Sequence, residues 1–155
     1  VDNRQAIGSW LSGPRAAAEE MGVDFGHPGE RLGLPRSGPG SVARFGRRLG
    51  AVVIDWVGCQ LIAYALITGG DLDASSPWTL ALFLSLTFLT VGTVGFTPGK
   101  RILGLRVIAL DGSRLGLGRV ALRTLLLALF VPALISDRDG RGLHDRLAGA
   151  VQVRI

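Results

Sequence analysis

The chain has 155 residues, of which 48% are hydrophobic and only 19% charged, yet Lys and Arg number 17 against 12 Asp and Glu. A soluble domain carries about a quarter charged residues, so charge and apolar residues must be segregated along this chain. One Cys and two His exclude a disulfide scaffold and a typical zinc site, and no metal or other cofactor is expected.

Residues 1–41 read as a flexible arm on the cytoplasmic side. Gly22 to Gly40 holds six Gly and three Pro, which is linker composition. Pro14 to Met21 offers two turns of helix, too short to persist alone. The remainder, 42–155, is expected to form one membrane domain.

Leu49 to Thr68 is the first run long enough to cross a bilayer, twenty residues with Asp55 and Cys59 as its ionisable groups. At 1.5 Å per residue it reaches about 30 Å, the thickness of the hydrocarbon core. It starts too deep for a cleaved leader and should act as an uncleaved anchor. Trp78 to Phe96 is the second, nineteen residues without a charge, with Ser76 placed to cap it and Pro77 at the first helical position. Neither run shows the polar face of a soluble helix.

Leu105 to Leu110 is a β-branched, apolar strand candidate ending at an Asp111-Gly112 turn. Val120 to Ile135 is a third apolar segment, interrupted by Arg123 and Pro132. Its uncharged stretch covers about 18 Å as helix, so it is expected in the membrane as a re-entrant or a spanning helix. Ala150 to Ile155 alternates apolar and polar residues, a half-buried strand pattern. Two isolated strands need partners, and pairing them with each other requires both on one side of the membrane.

The basic residues set orientation. Seven arginines lie in 1–48, none in 69–77, five Lys or Arg in 97–119 and four in 136–155. The positive-inside rule places both ends in the cytoplasm and the acidic loop outside. A basic tail on the inner side favours the re-entrant alternative. Arg44, Arg47, Lys100 and Arg101 flank the spans and are expected to meet anionic lipid headgroups.

A charged Asp at mid-membrane costs roughly 2.5–3.5 kcal/mol, so Asp55 must be neutral, hydrated or paired. Arg48 lies two turns before it, but helical side chains lean N-terminally and turn Arg48 away. Arg123 is the better tertiary partner. An Asp55–Arg123 ion pair pinning the third segment to the first competes with a proton or cation site on a transport path. Other chemistry is thin. Gly95 to Arg101 falls one residue short of a phosphate loop, Asp137 to Gly140 lacks the later ligands of a calcium loop, and His144-Asp145 has no nucleophile beside it. The sequence does not read as an enzyme, and nothing in it points to nucleic acid.

The ordered set Arg48-Leu-Gly-Ala-Val-Val-Ile-Asp55, Phe96-Thr-Pro-Gly-Lys100, Leu105-Arg-Val-Ile, Asp111-Gly112, Arg123 and Gly142-Leu-His-Asp-Arg-Leu-Ala-Gly149 resembles the RDD family of small bacterial membrane proteins, named for an arginine and two aspartates. Arg48 and Asp55 match the first two, and Asp145 is taken as the third. The Gly149-Ala150 pair departs from the family's more usual Gly-Thr. The resemblance implies a multi-pass protein of the bacterial cytoplasmic membrane and no settled activity. Two functions are compatible with it: an accessory or scaffolding subunit of a larger membrane complex, and an oligomeric transporter or cation/proton exchanger using Asp55. The expected partners are the bilayer and a membrane protein or further copies of this chain.

Overall fold

The computed structural model describes residues 21–22, 26–129 and 141–155. Helix α1 spans Phe45–Ile62 and continues without a break through a π-helical segment, Ala63–Ile67. Together they make 23 residues, about 34 Å of helix. Helix α2, Leu72–Thr93, has 22 residues and runs back beside it. These two helices are long and apolar enough to cross a membrane. Val53, Val57, Leu61, Leu66, Trp78, Leu80 and Leu89 all point outward and are exposed. A soluble core helix would bury such residues, whereas lipid solvates them without penalty.

The bounds differ from those read off hydropathy. Helix α1 starts at Phe45 rather than Leu49, because Arg47 and Arg48 are accommodated in its first turn. Helix α2 starts at Leu72 rather than beside Pro77. Asp71 is the N-cap, its Oδ1 accepting from the N–H groups of Asp73 (3.0 Å) and Ala74 (3.1 Å). A carboxylate at this position satisfies two orphan donors and complements the helix dipole. Ser76 therefore does not cap. Pro77 falls inside the helix, where its missing N–H leaves a carbonyl on exposed Asp73 without a helical donor. Helix α2 ends at Thr93, before Phe96, and Gly95 turns the chain at φ 85°.

A one-turn helix α3 (Pro98–Ile102) leads into strand β1 (Leu105–Ala109). Helix α4 (Leu117–Ala128), the short α5 (Leu143–Leu147) and β2 (Ala150–Arg154) complete the described chain. Strands β1 and β2 pair antiparallel, with Leu105 opposite Arg154 and Ala109 opposite Ala150. Val42 forms a further bridge with Val153 on the other edge of β2. The chain before α1, β1 and β2 therefore sit together, at one end of the two long helices. The third apolar segment begins at Leu117, three residues before the hydropathy limit, and is amphipathic: Val120, Arg123, Thr124 and Leu127 are buried while Leu122 and Leu125 are exposed. Its later part, 130–135, lies outside the described residues, and with it the choice between spanning and re-entering.

Strand β2 is not half-buried. Ala150, Val151, Gln152 and Val153 are all covered. Val151 and Val153 pack against Val42, Leu32 and Leu34, so residues 26–41, tether-like in composition, lie on the sheet. A 3₁₀ turn at Glu30–Leu32 and a hydrogen bond from the Gly40 N–H to the Arg154 carbonyl (2.8 Å) hold them there. Residues 1–20 and 23–25 of the expected arm lie outside the described residues. On the inner side, Val91, Val107, Ala109, Leu115, Val120 and Ala150 join the end of α2 to the sheet and α4.

Candidate functional site

A buried polar cluster lies where α1, α3, α4, α5 and β2 meet. Its first part is built on the Thr97-Pro98-Gly99-Lys100 run. Thr97 is the N-cap of α3, and its hydroxyl oxygen accepts from the Lys100 N–H at 3.3 Å. Pro98 at the next position has no N–H to satisfy. The Gly99 N–H donates to Asp55 Oδ1 at 2.7 Å, and the Thr97 hydroxyl donates to Asp55 Oδ2. The carboxylate from the first span thus closes the amino end of α3, where negative charge is favoured. Gly99 is required by packing. A Cβ there would sit 2.3 Å from the Ala51 carbonyl oxygen and 3.0 Å from the Asp55 carboxylate. Only a residue without one lets α3 press against α1.

The second part joins α4, α5 and β2. Arg123, 1% exposed, donates through Nε to Asp145 Oδ1 at 2.5 Å. Gln152 Nε2 donates to the other carboxylate oxygen at 2.7 Å. Arg123 Nη2 lies 3.3 Å from His144 Nε2. A guanidinium cannot accept, so Nε2 is the acceptor and the imidazole proton sits on Nδ1. Burial, opposed by the charge of Asp145 and assisted by those of Arg123, Arg48 and Lys100, lowers the His144 pKa to about 4, which keeps the ring neutral. For Asp145 burial alone would raise the pKa. Arg123, His144 and the Gln152 hydrogen bond overcome it and hold the carboxyl below its usual range.

The expected Asp55–Arg123 pair does not form. Arg123 spends its strongest bond on Asp145, one turn from the sheet, while Asp55 faces α3. Arg123 and the three residues matched to the family name are all buried, at 7% for Arg48, 3% for Asp55, 1% for Arg123 and 0% for Asp145. They divide into an Arg123–Asp145 unit and an Asp55–Thr97–Gly99 unit. Arg48 contributes charge to the first, lowering both His144 and Asp145.

Lys100 feels the charges of both units. It was expected at the lipid surface but is only 2% exposed, because α3 turns it inward. Burial and the repulsion of Arg123 lower its pKa to about 8, against the opposing pull of Asp55 and Asp145. Arg101, next in the chain, is exposed and stacks its guanidinium 5.2 Å from the Phe96 ring centre. Arg44 and Arg47 are exposed as expected. With Arg36 and Arg154 they line an open cleft of about 930 Å³ beside the start of α1.

Sequence reasoning missed Thr97, Gly99, Lys100, His144 and Gln152 as members of the cluster. A Thr-Pro-Gly run is a readable N-cap signal, but it does not reveal which distant carboxylate closes it. Nothing marks Gln152, which looks like the polar face of a strand. Among the described residues no group of three or more His, Cys, Asp or Glu could hold a metal.

Neutral burial of His144 has a pH consequence. Its folded pKa of about 4 lies below the ordinary 6.5, so the unfolded chain binds the extra proton between those values. Stability contributed by neutral His144 is complete above pH 6.5 and is lost as the pH falls towards 4, by roughly 3 kcal/mol at most. Denaturant unfolding in detergent should show this slope, and His144→Gln should flatten it.

The family model described as "RDD family" matches residues 42–149. The chain is 34% identical over 122 residues to "Uncharacterized protein YckC" of Bacillus subtilis (strain 168), covering 69% of this chain and 81% of that protein. No solved structure matches. The extent of the family match and the likeness to the Bacillus protein agree with the motifs now seen to build one buried cluster: the chain belongs to the RDD family.

Proposed function

We propose that this chain is a non-enzymatic accessory subunit of the bacterial cytoplasmic membrane, one that presents a sheet platform to a larger membrane assembly. The observation that carries this reading is the state of Asp55. Both carboxylate oxygens are engaged, one by the Thr97 hydroxyl and one by the Gly99 N–H. An ion-coupling carboxylate must release its partners to exchange a cation, whereas a structural one keeps them. Asp55 in this reading is a clasp that seats α3, and through it the sheet, on the first membrane helix.

In this reading the sheet end lies in the cytoplasm and the Thr68–Asp71 turn outside, following the distribution of basic residues. Arg44, Arg47 and Arg101 then lie at headgroup level and favour anionic lipid, by on the order of 1 kcal/mol each.

Purification of the full chain from its own membranes in mild detergent tests the role. A stoichiometric larger partner is the expected result. A homo-oligomer alone, together with a cation-dependent proton flux in proteoliposomes that Asp55→Asn abolishes while folding normally, replaces this reading with the exchanger. A C-terminal reporter active only outside the cell would overturn the orientation.

A further inference from the structure

The open cleft beside the start of α1 gathers four arginines from three parts of the chain. Arg44 and Arg47 stand at the head of α1, Arg36 comes from the loop before it and Arg154 from the end of β2. The backbone fixes this meeting. The Arg154 N–H donates to the Ser41 carbonyl at 2.9 Å, and the Arg154 carbonyl accepts from the Gly40 N–H at 2.8 Å, so β2 delivers Arg154 to the stretch between Arg36 and Arg44. Arg47 Nη1 donates to the Leu103 carbonyl at 3.1 Å, which ties that side chain to the residue after α3. Arg36, Arg44 and Arg47 are exposed and Arg154 is half-buried, so a ligand can reach them.

Like charges around one concavity repel, and the chain does little to offset them. The ion pairs among the described residues are His27–Glu30, Arg123–Asp145 and His144–Asp145, so none of the four arginines has a carboxylate within 4 Å among them. Glu30 is the one acidic residue lining the cleft among the described residues, and it faces His27, with Oε1 3.7 Å from Nδ1. The first turn of α1 holds no acidic residue. Four guanidinium groups against one carboxylate leave three positive charges to be met from outside. Orientation in a membrane needs basic residues on one side only. It does not need a loop, a helix and a C-terminal strand to bring them to one cleft.

The arginine fork matches the oxygens of phosphate. A single phosphate carries at most about two negative charges, so one such group leaves the cleft cationic. The volume, about 930 Å³, lies within the roughly 300–1,000 Å³ of small-molecule sites and has room for more than one. We propose that this cleft binds one ligand carrying two phosphate groups, held across Arg36, Arg44, Arg47 and Arg154. Such a ligand has two sources, the headgroup of a two-phosphate phospholipid and a soluble diphosphate. The first source rests on the placement of Arg44 and Arg47 at headgroup level given above, where basic pockets receive phospholipid headgroups; the second does not.

The full chain in phosphatidylcholine nanodiscs, titrated calorimetrically with inorganic pyrophosphate at constant ionic strength, tests the soluble source. Native mass spectrometry of the full chain in detergent, offered phosphatidylglycerol and diphosphatidylglycerol at equal phosphate, tests the headgroup. One pyrophosphate bound per chain, or one diphosphatidylglycerol retained in preference to phosphatidylglycerol, supports the site and identifies its source. Both together support it and show that it reads the phosphates alone. Arg36→Gln and Arg154→Gln should each weaken binding about fivefold and together about twentyfold or more, while Arg101→Gln, outside the cleft, leaves it unchanged. Arg36 is exposed on a loop, so its variant decides if Arg154→Gln fails to fold. Equal retention of the two lipids without pyrophosphate binding overturns the cleft and leaves general attraction to headgroups standing. Binding that Arg101→Gln weakens as much as Arg36→Gln, or no binding in either arm, also overturns it.

Discussion

Gly99→Ala is expected to unseat α3 from the first membrane helix. The added Cβ would lie 2.3 Å from the Ala51 carbonyl oxygen, and that atom is helical backbone with no rotamer to move into. Relief therefore requires α3 to move away, which breaks the Gly99 N–H bond to Asp55 at 2.7 Å and draws Thr97 with it. Overpacking costs about 1–3 kcal/mol, and a lost hydrogen bond to a charged group about 1.5–3 kcal/mol. Together they make a loss of roughly 3–5 kcal/mol, a large share of the stability of a domain this size. Equilibrium unfolding in mixed micelles reads this directly. Gly50→Ala is the control in the same helical layer. Its Cβ meets only the end of the Leu103 side chain, at 3.1 Å, and should cost far less. Equal losses for the two variants would show that α3 does not depend on close approach.

The second large effect is at Arg123 and Asp145. Arg123→Gln leaves the Asp145 carboxylate, 0% exposed, with Gln152 as its remaining side-chain hydrogen-bond partner. Asp145→Asn leaves the Arg123 guanidinium buried beside neutral His144. Removing one member of a buried pair costs about 3–5 kcal/mol because the other charge is stranded. The double variant should recover part of the loss, with a coupling well above the 0.5 kcal/mol that distant sites show. The same cycle on Arg123 and Asp55 should give a coupling close to zero, since the two share no bond. A strong Asp55–Arg123 coupling with none for Asp145 would contradict the arrangement of the cluster.

Much of the fold is legible in the chain because it depends on local chemistry. Two apolar stretches of membrane length need only hydropathy to be recognised, since lipid imposes no further pattern on the exposed side chains of α1 and α2. The pairing of β1 with β2 follows from two apolar strands that have no other neighbours, and the structure forms it. Asp55 and Arg123 stand out in the chain as charges inside apolar segments, and Arg48 and Asp145 only through the family motifs; all four are buried.

Partner choice was not legible. Asp55 and Asp145 are equally suitable mates for Arg123 by charge, and the decision belongs to the position of α5, which sets Asp145 beside α4 and leaves Asp55 to α3. The inward turn of Lys100 is hidden for the same reason: in the chain it stands beside Arg101 as one of two basic residues flanking a membrane helix, and only the docking of α3 sends one inward and the other out. Covering of Val151 and Val153 required residues 26–41 to pack on the sheet, which their Gly and Pro content did not suggest, and covering of Gln152 on the other face required Asp145 of α5. Sequence by itself determined which segments are apolar, where basic charge accumulates and which charged residues stand inside apolar segments. Tertiary structure alone decided which of them meet, because a hydrogen bond needs two groups within about 3 Å, and that distance is set by how the helices and the sheet close on one another.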